Sequence, residues 1–247
     1  MFEIETGKNP LPLRIGISGV DGVGKTTLCT QMPDPLFLFF EEGGNEFDVP
    51  KINLTGMSYD HAIQALTQLY GMEEFPYKTI VIDSIDWFER LCFDKVCMDQ
   101  RVKNIDDIGY GKGYTFSLAL MDRLLKELDK IRVEENVTIA LISHVQITRI
   151  SDPLFPEYDR WGLKLHKKTA ALIREWLDIL FFGRHEQFVQ EKTGTFGKKA
   201  STAIGTGNRI LHSGPSPAYE SKTRITLPDP LPMEWGNVQS AIDNARS

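Results

Sequence analysis

The chain has 247 residues, 41% of them hydrophobic and 25% charged, with a formal net charge of −6. This composition suits a globular chain with a sizeable core and excludes collagenous, disulfide-stapled and disordered classes. No run of 18 apolar residues occurs, so neither a membrane span nor a membrane partner is expected. Three cysteines, Cys29, Cys92 and Cys97, have no metal-ligand spacing and suit a reducing, cytoplasmic setting. The length predicts one unit over 1–247, with a core at about 12–183 and an extension and tail at about 184–247.

Residues 1–12 read as a short arm. Residues 13–18 (LRIGIS) alternate apolar and small side chains, the pattern of a buried first strand. Gly19, Val20, Asp21, Gly22, Val23, Gly24, Lys25 and Thr26 then match G-x-x-x-x-G-K-[ST] in full. Glycines let the backbone take positive φ and approach an anion closely. Successive N–H groups then form a concave nest at the start of a helix. Lys25 is placed to reach β/γ phosphates, and the Thr26 hydroxyl to ligate Mg²⁺.

Residues 36–40 (LFLFF) form a continuous apolar run, hence a buried strand, ending in Glu41-Glu42-Gly43-Gly44. Carboxylates at the C-terminal end of such a strand lie where open α/β sheets bind ligands. Residues 51–54 suit a short strand. Ser58 is a candidate N-cap for a helix carrying Ile63, Leu66 and Leu69, closed by Gly71. Residues 79–84 (TIVIDS) form a β-branched strand ending in Asp83, the acid expected beside a P-loop to serve Mg²⁺. A helix is expected over 86–98. Polar, glycine-bearing residues 103–114 suggest a mobile loop. Phe116, Leu120, Leu124, Leu128 and Ile131 suggest the apolar face of a long helix, with Phe116 in the core. Residues 137–142 form a further buried strand running into Ser143 and His144, where a polar side chain can sense a γ-phosphate.

Residues 146–168 contain Pro153 and Pro156 and show little periodicity, suggesting a long functional loop. Its Phe155, Tyr158, Arg160, Trp161, Lys164, Lys167 and Lys168 suit stacking on bases and neutralising phosphates. From 160 to 224 the chain has 12 Lys/Arg against 5 Asp/Glu, a basic stretch in an acidic protein that suits a polyanion. A helix over 169–175 leads into a strand at 176–182 (WLDILFF). Residues 187–192 and 208–212 suggest a hairpin extending the sheet. Residues 227–232 (LPDPLP) read as rigid and extended, with a short helix over 237–244.

In this order the P-loop, the strand ending in EEGG, and the IVIDS, ALISH and REWLDILFF strands resemble RecA-like P-loop ATPases. They are most similar to phage-encoded ATP-binding proteins with a RecA core that act in single-strand annealing or recombination. The resemblance covers about residues 12–236, including the closing SKTRITLPDPLPMEW. It implies an α/β fold, with a mainly parallel central sheet flanked by helices and a C-terminal antiparallel β extension. It further implies ATP and Mg²⁺ as ligands, single-stranded DNA as a partner and a homo-oligomer. Gly19 to Thr27 would bind ATP, Asp83 would serve the metal and His144 would sense the γ-phosphate. Glu42 would polarise the attacking water, with Glu41 as the alternative, because Phe40 replaces the usual Asp two residues before that glutamate. Lys222 or Arg224 would reach a neighbour's nucleotide. The GVDGVGKTT segment also resembles thymidylate-kinase-like enzymes, although no Arg-rich lid follows. An ATP-gated switch or loader without appreciable turnover is the third possibility.

Overall fold

The computed structural model describes residues 6–7, 10–70, 72–193 and 199–247. Among these residues, nine strands form one sheet. They are β1 (Arg14–Gly19), β2 (Pro35–Phe39), β3 (Lys51–Asn53), β4 (Thr79–Asp83), β5 (Thr138–Ser143), β8 (Ile179–Thr193), β9 (Lys199–His212), β10 (Lys222–Thr223) and β11 (Leu231–Pro232). Two more, β6 (Val145–Ile150) and β7 (Tyr158–Leu163), make a separate antiparallel pair. The main order is β11-β9-β8-β1-β5-β4-β2-β3, with β10 beside β8. The pairings among β8, β1, β5, β4, β2 and β3 are parallel, and those of β8 with β9, β9 with β11 and β8 with β10 are antiparallel. This is the predicted α/β class: a mainly parallel sheet continued by antiparallel strands.

Helices cover both faces, as a parallel sheet requires. On one face lie α2 (Tyr59–Leu69), α3 (Ile85–Gln100), α4 (Lys112–Glu134) and α5 (Lys167–Trp176). They pack Leu66, Phe88, Leu124 and Ile173 against Leu38, Ile80, Ile82 and Leu141. On the other face α1 (Lys25–Thr30) and α6 (Trp235–Arg246) set Leu28, Val238 and Ile242 against Ile17, Phe37, Val81, Ile142 and Phe181. Ser58 caps α2 as expected, accepting the His61 N–H; Gly71, expected to close that helix, lies outside the described residues.

Strand parity follows from these two cores. In β2, Leu36, Leu38 and Phe40 face α2–α5, whereas Phe37 and Phe39 face α1. In β4, Val81 faces α1; in β5, Ala140 and Ile142 do. Because side chains alternate along a strand, Glu41, Asp83 and His144 fall in register with the α1 face. Glu42 does not.

Three expectations need correction. Residues 103–114, expected as a mobile loop, hold two 3-10 turns and the start of α4. Asn104 and Asp107 make a capping box, and a Cβ at Gly113 would overlap Ile105, so that glycine permits close packing. Phe116 is 43% exposed, while Met121, Leu124, Leu125 and Leu128 are buried. Four-residue steps turn about 400° and drift about 40° each off a helical stripe, so 116 leaves the face that 124 and 128 occupy. Residues 146–168 hold most of the β6–β7 hairpin and the start of α5; Pro153 and Pro156 sit in the turn between the strands, where they interrupt no ladder.

At the other end of the sheet, Asp178 receives a two-pronged guanidinium contact from Arg14 at 2.9 and 3.2 Å and pairs with Arg224 at 3.2 Å. Lys222 donates to the carbonyls of Arg174, Glu175 and Leu177. Both cations offered as trans-acting groups are thus engaged within their own chain, around the end of α5 and the start of β8.

Candidate nucleotide site

The P-loop joins β1 to α1. Gly22 and Gly24 have φ of 71° and 97°, which side chains rarely tolerate, and Gly24 is the N-cap of α1. Gly19 lies opposite Gly183, and a Cβ there would overlap the Gly183 carbonyl oxygen. Gly19→Ala is therefore expected to push β1 off β8 and lower stability by about 1–3 kcal/mol, read from urea unfolding.

Lys25 is buried, and its Nζ donates to the carbonyls of Gly19 (3.0 Å) and Val20 (3.3 Å). Burial lowers its pKa, opposed by the charges of Asp21, Asp83, Asp86 and Glu41. The Thr26 hydroxyl donates to Asp83 Oδ2 at 2.7 Å, joining the two residues predicted as metal ligands. Burial pushes the Asp83 carboxyl up to about 6, against the Thr26 hydrogen bond and with the Glu41 charge adding to the rise. A buried carboxylate next to a hydroxyl, both oxygen donors, suits Mg²⁺, which takes one or two protein oxygens and completes its shell with phosphates and water.

A cleft of about 310 Å³ is lined by Gly22, Gly24, Lys25, Thr26, Thr27, Glu41, Phe47, Asp83 and His144. It gathers the P-loop and the ends of three other strands. Of the two adjacent acids, Glu41 lines this cleft. Glu42 is exposed and lines only two neighbouring depressions, one bounded by Lys51 and Asn53 and one by Trp87 and Arg90, which Glu41 borders as well. Of the two acids, it is thus Glu41, the alternative to Glu42, that shares the cleft with Lys25 and Asp83, as strand parity leads one to expect.

His144 is held by a residue the sequence reading passed over. Asp86, in the first turn of α3, accepts the His144 backbone N–H at 3.0 Å and lies 3.0 Å from its Nδ1. The other ring nitrogen is 4.0 Å from Glu41. The Asp86 hydrogen bond raises the His144 pKa and outweighs burial. Burial alone would raise Asp86, but the hydrogen bonds from His144 hold it below its ordinary value. The spacing Asp83-x-x-Asp86 was the available signal: one turn into the helix, the second acid comes back under the end of β5.

A triphosphate cradle after the first strand, a hydroxyl–carboxylate pair for a metal, and a further acid and a histidine facing the cradle define a P-loop NTPase. The family model described as an AAA domain matches residues 11–225, and the chain belongs to that family of P-loop ATPases. No curated protein matches it. Among the described residues, no helix is long and apolar enough to cross a membrane.

Proposed function

We propose that the protein is a Mg²⁺-dependent ATPase of RecA-like type that couples ATP to single-stranded DNA in phage recombination, annealing or replication in the host cytoplasm. The supporting observation is the convergence of Lys25, Thr26, Asp83, Glu41 and His144 on one cleft. Phosphoryl transfer to water needs charge neutralisation and alignment more than covalent help. The P-loop N–H groups and Lys25 take the β/γ charge. Thr26 and Asp83 would hold Mg²⁺, which would supply charge neutralisation at those phosphates. Glu41 orients water toward the γ-phosphate, and His144 faces the same end. Steady-state ATPase with and without single-stranded DNA tests this reading, and a deoxynucleoside monophosphate in a parallel assay tests for kinase activity.

Asp86 acts through His144. The cationic form exists below the raised pKa and is lost as pH climbs through it. Asp86→Asn removes the hydrogen bond that raises this pKa, so the alkaline fall of kcat/KM is expected at lower pH than in wild type. An unshifted pH–rate profile would remove Asp86 from the mechanism.

The DNA half of the proposal is supported by the hairpin and the basic stretch. Leu154 and Phe155 stand 82% and 65% exposed at the hairpin turn, and Lys164, Lys167 and Lys168 are exposed at the other end of the hairpin and the start of α5. Arg160 is committed to Glu220 at 2.7 Å, and Arg149 to Glu157 and Asp159. The lysines and Phe155, rather than these arginines, are therefore assigned to the strand. Phe155→Ala is expected to weaken binding about tenfold, in the range for loss of one stacked base. Wild-type affinity should fall as salt rises. Fluorescence anisotropy with a labelled oligonucleotide reads both, and salt-independent binding would contradict the lysine assignment.

A further inference from the structure

The face that Glu41 shares with Asp83 and His144 is reached from the sheet edge as well. Ile52 of β3 packs with the core under α2–α5. By strand alternation Lys51 and Asn53 then point to the α1 face, as Glu41 does. β3 closes one edge of the sheet, and Lys51 is exposed there. A lysine on an edge strand is ordinarily a solvated charge that deters pairing with another chain. Lys51 is used differently. Its Nζ donates to the carbonyls of Gly44 at 3.0 Å and Phe47 at 2.8 Å. Glu41, Glu42 and Glu46 border the same hollow of about 420 Å³, yet the ammonium is turned onto neutral backbone.

Those carbonyls belong to the turn that follows the acid pair. Gly44 lies so close to the Phe39 ring that a Cβ there would overlap it. The Phe47 N–H returns to the Gly44 carbonyl at 3.4 Å. Phe47 lines the nucleotide cleft together with Glu41 and is half-buried against the core around α1. The first residue of the turn has its own tie, since the Thr55 hydroxyl donates to the Glu41 carbonyl at 3.1 Å. Between the two ties lie Gly43 and Gly44, and Gly43 has φ of 113°. A glycine pair leaves many backbone conformations open. Lys51 bridges Gly44 to Phe47 and closes that freedom.

We propose that Lys51 is a positioning residue for nucleotide hydrolysis: by clasping the turn it keeps Glu41 aimed at the γ-phosphate. The proposal rests on the ATPase reading of the cleft and adds to it what fixes the direction of the acid. Lys51 lies outside the cleft lining, so it acts through the turn and not on the nucleotide. Without its two hydrogen bonds the glycine pair lets the turn lift off Phe39, and Glu41 at its start moves with it. The contribution of a water-orienting group depends steeply on such placement, because the reacting atoms must be held in line.

Lys51→Met keeps the aliphatic stem and removes the donors, and Lys51→Arg restores donors and charge. The position is exposed, and urea unfolding checks that both variants fold. Lys51→Met is expected to lower kcat about tenfold or more, within the roughly 10²-fold that a misplacement of about 1 Å can cost. MgATP affinity by calorimetry should stay close to wild type, and Lys51→Arg should recover most of the lost rate. A double-mutant cycle with Glu41→Gln separates positioning from a general structural role. Single-turnover hydrolysis in Glu41→Gln should be indifferent to Lys51→Met, because the group that Lys51 aims is gone. A wild-type kcat in Lys51→Met, or the same fold-loss with and without Glu41, would overturn the assignment while leaving the ATPase reading standing. Absence of magnesium-dependent turnover in wild type would overturn that reading, and the assignment with it.

Discussion

Replacing Glu41 by Gln is expected to lower ATP turnover by about 10²–10³-fold, the usual cost of removing one preorganised electrostatic contact, with little change in nucleotide affinity. Glu42→Gln should remain close to wild type. The two acids are adjacent in sequence but differ in surroundings. Both border the depressions beside Lys51 and Trp87, and only Glu41 also lines the cleft with Lys25, Asp83 and His144. Lys25→Ala should abolish turnover too, but through the ground state as well, because its ammonium serves binding and chemistry together. Steady-state phosphate release on the three variants separates these effects. A wild-type rate in Glu41→Gln with an inactive Glu42→Gln would mean that the acid loop turns over when nucleotide binds.

Asp83→Asn should do two opposite things. Turnover is lost with the carboxylate that pairs with Thr26, yet the nucleotide-free, EDTA-treated protein becomes more stable above about pH 6. The sign follows from the raised pKa. With a folded value of about 6 against an ordinary 3.8, the folded chain holds a proton that the unfolded chain has released. Wild type therefore loses stability as pH climbs from 3.8 to 6, and the loss is complete above that window. Asparagine carries no such charge and keeps an acceptor for Thr26. The gain at pH 7.5 should be about 2–3 kcal/mol by the conversion of pKa difference to free energy, vanishing near pH 4. Urea unfolding at both pH values measures it. An Asp83→Asn protein less stable than wild type at pH 7.5 would mean that the carboxylate is compensated in the fold, with no charge held in reserve for a cation.

This site is built at the cost of the apo fold. Asp83, Asp86 and Glu41 crowd near Lys25; burial works against the charges of Lys25, Asp83 and Asp86, and on Asp86 the hydrogen bonds from His144 outweigh it. A buried acid such as Asp83, left uncompensated next to a hydroxyl oxygen, is a mark of function rather than stability.

Much of this was legible in the residues. The P-loop motif, the IVID strand and the LFLFF strand name their elements outright, since continuous β-branched and aromatic runs bounded by polar turns have few other readings. The parity that separates Glu41 from Glu42 was only half legible: counting by twos from Phe37 and Phe39 reaches Glu41, as counting from Val81 reaches Asp83 and from Ile142 reaches His144. The count needs to know which face α1 covers, and only the assembled sheet tells that. The β6–β7 hairpin was hidden because β6 is fully buried at no position, so VQITRI shows no burial stripe. Phe116 was misplaced by following a four-residue repeat beyond the stretch where it tracks a helix face. Arg209, whose Nη1 lies 3.5 Å from the Val23 carbonyl oxygen, had no local signal at all. It stands 186 positions from that P-loop partner and arrives there through the pairing of β9 with β8, a long-range fact that no window of sequence contains.

The most direct measurement is titration calorimetry of the wild-type chain with ATP, with and without magnesium, beside Lys25→Ala. Saturable one-to-one binding that needs magnesium and disappears in Lys25→Ala is the expected result. Absence of heat with wild type, or equal binding by Lys25→Ala, would contradict a triphosphate cradle at the end of β1.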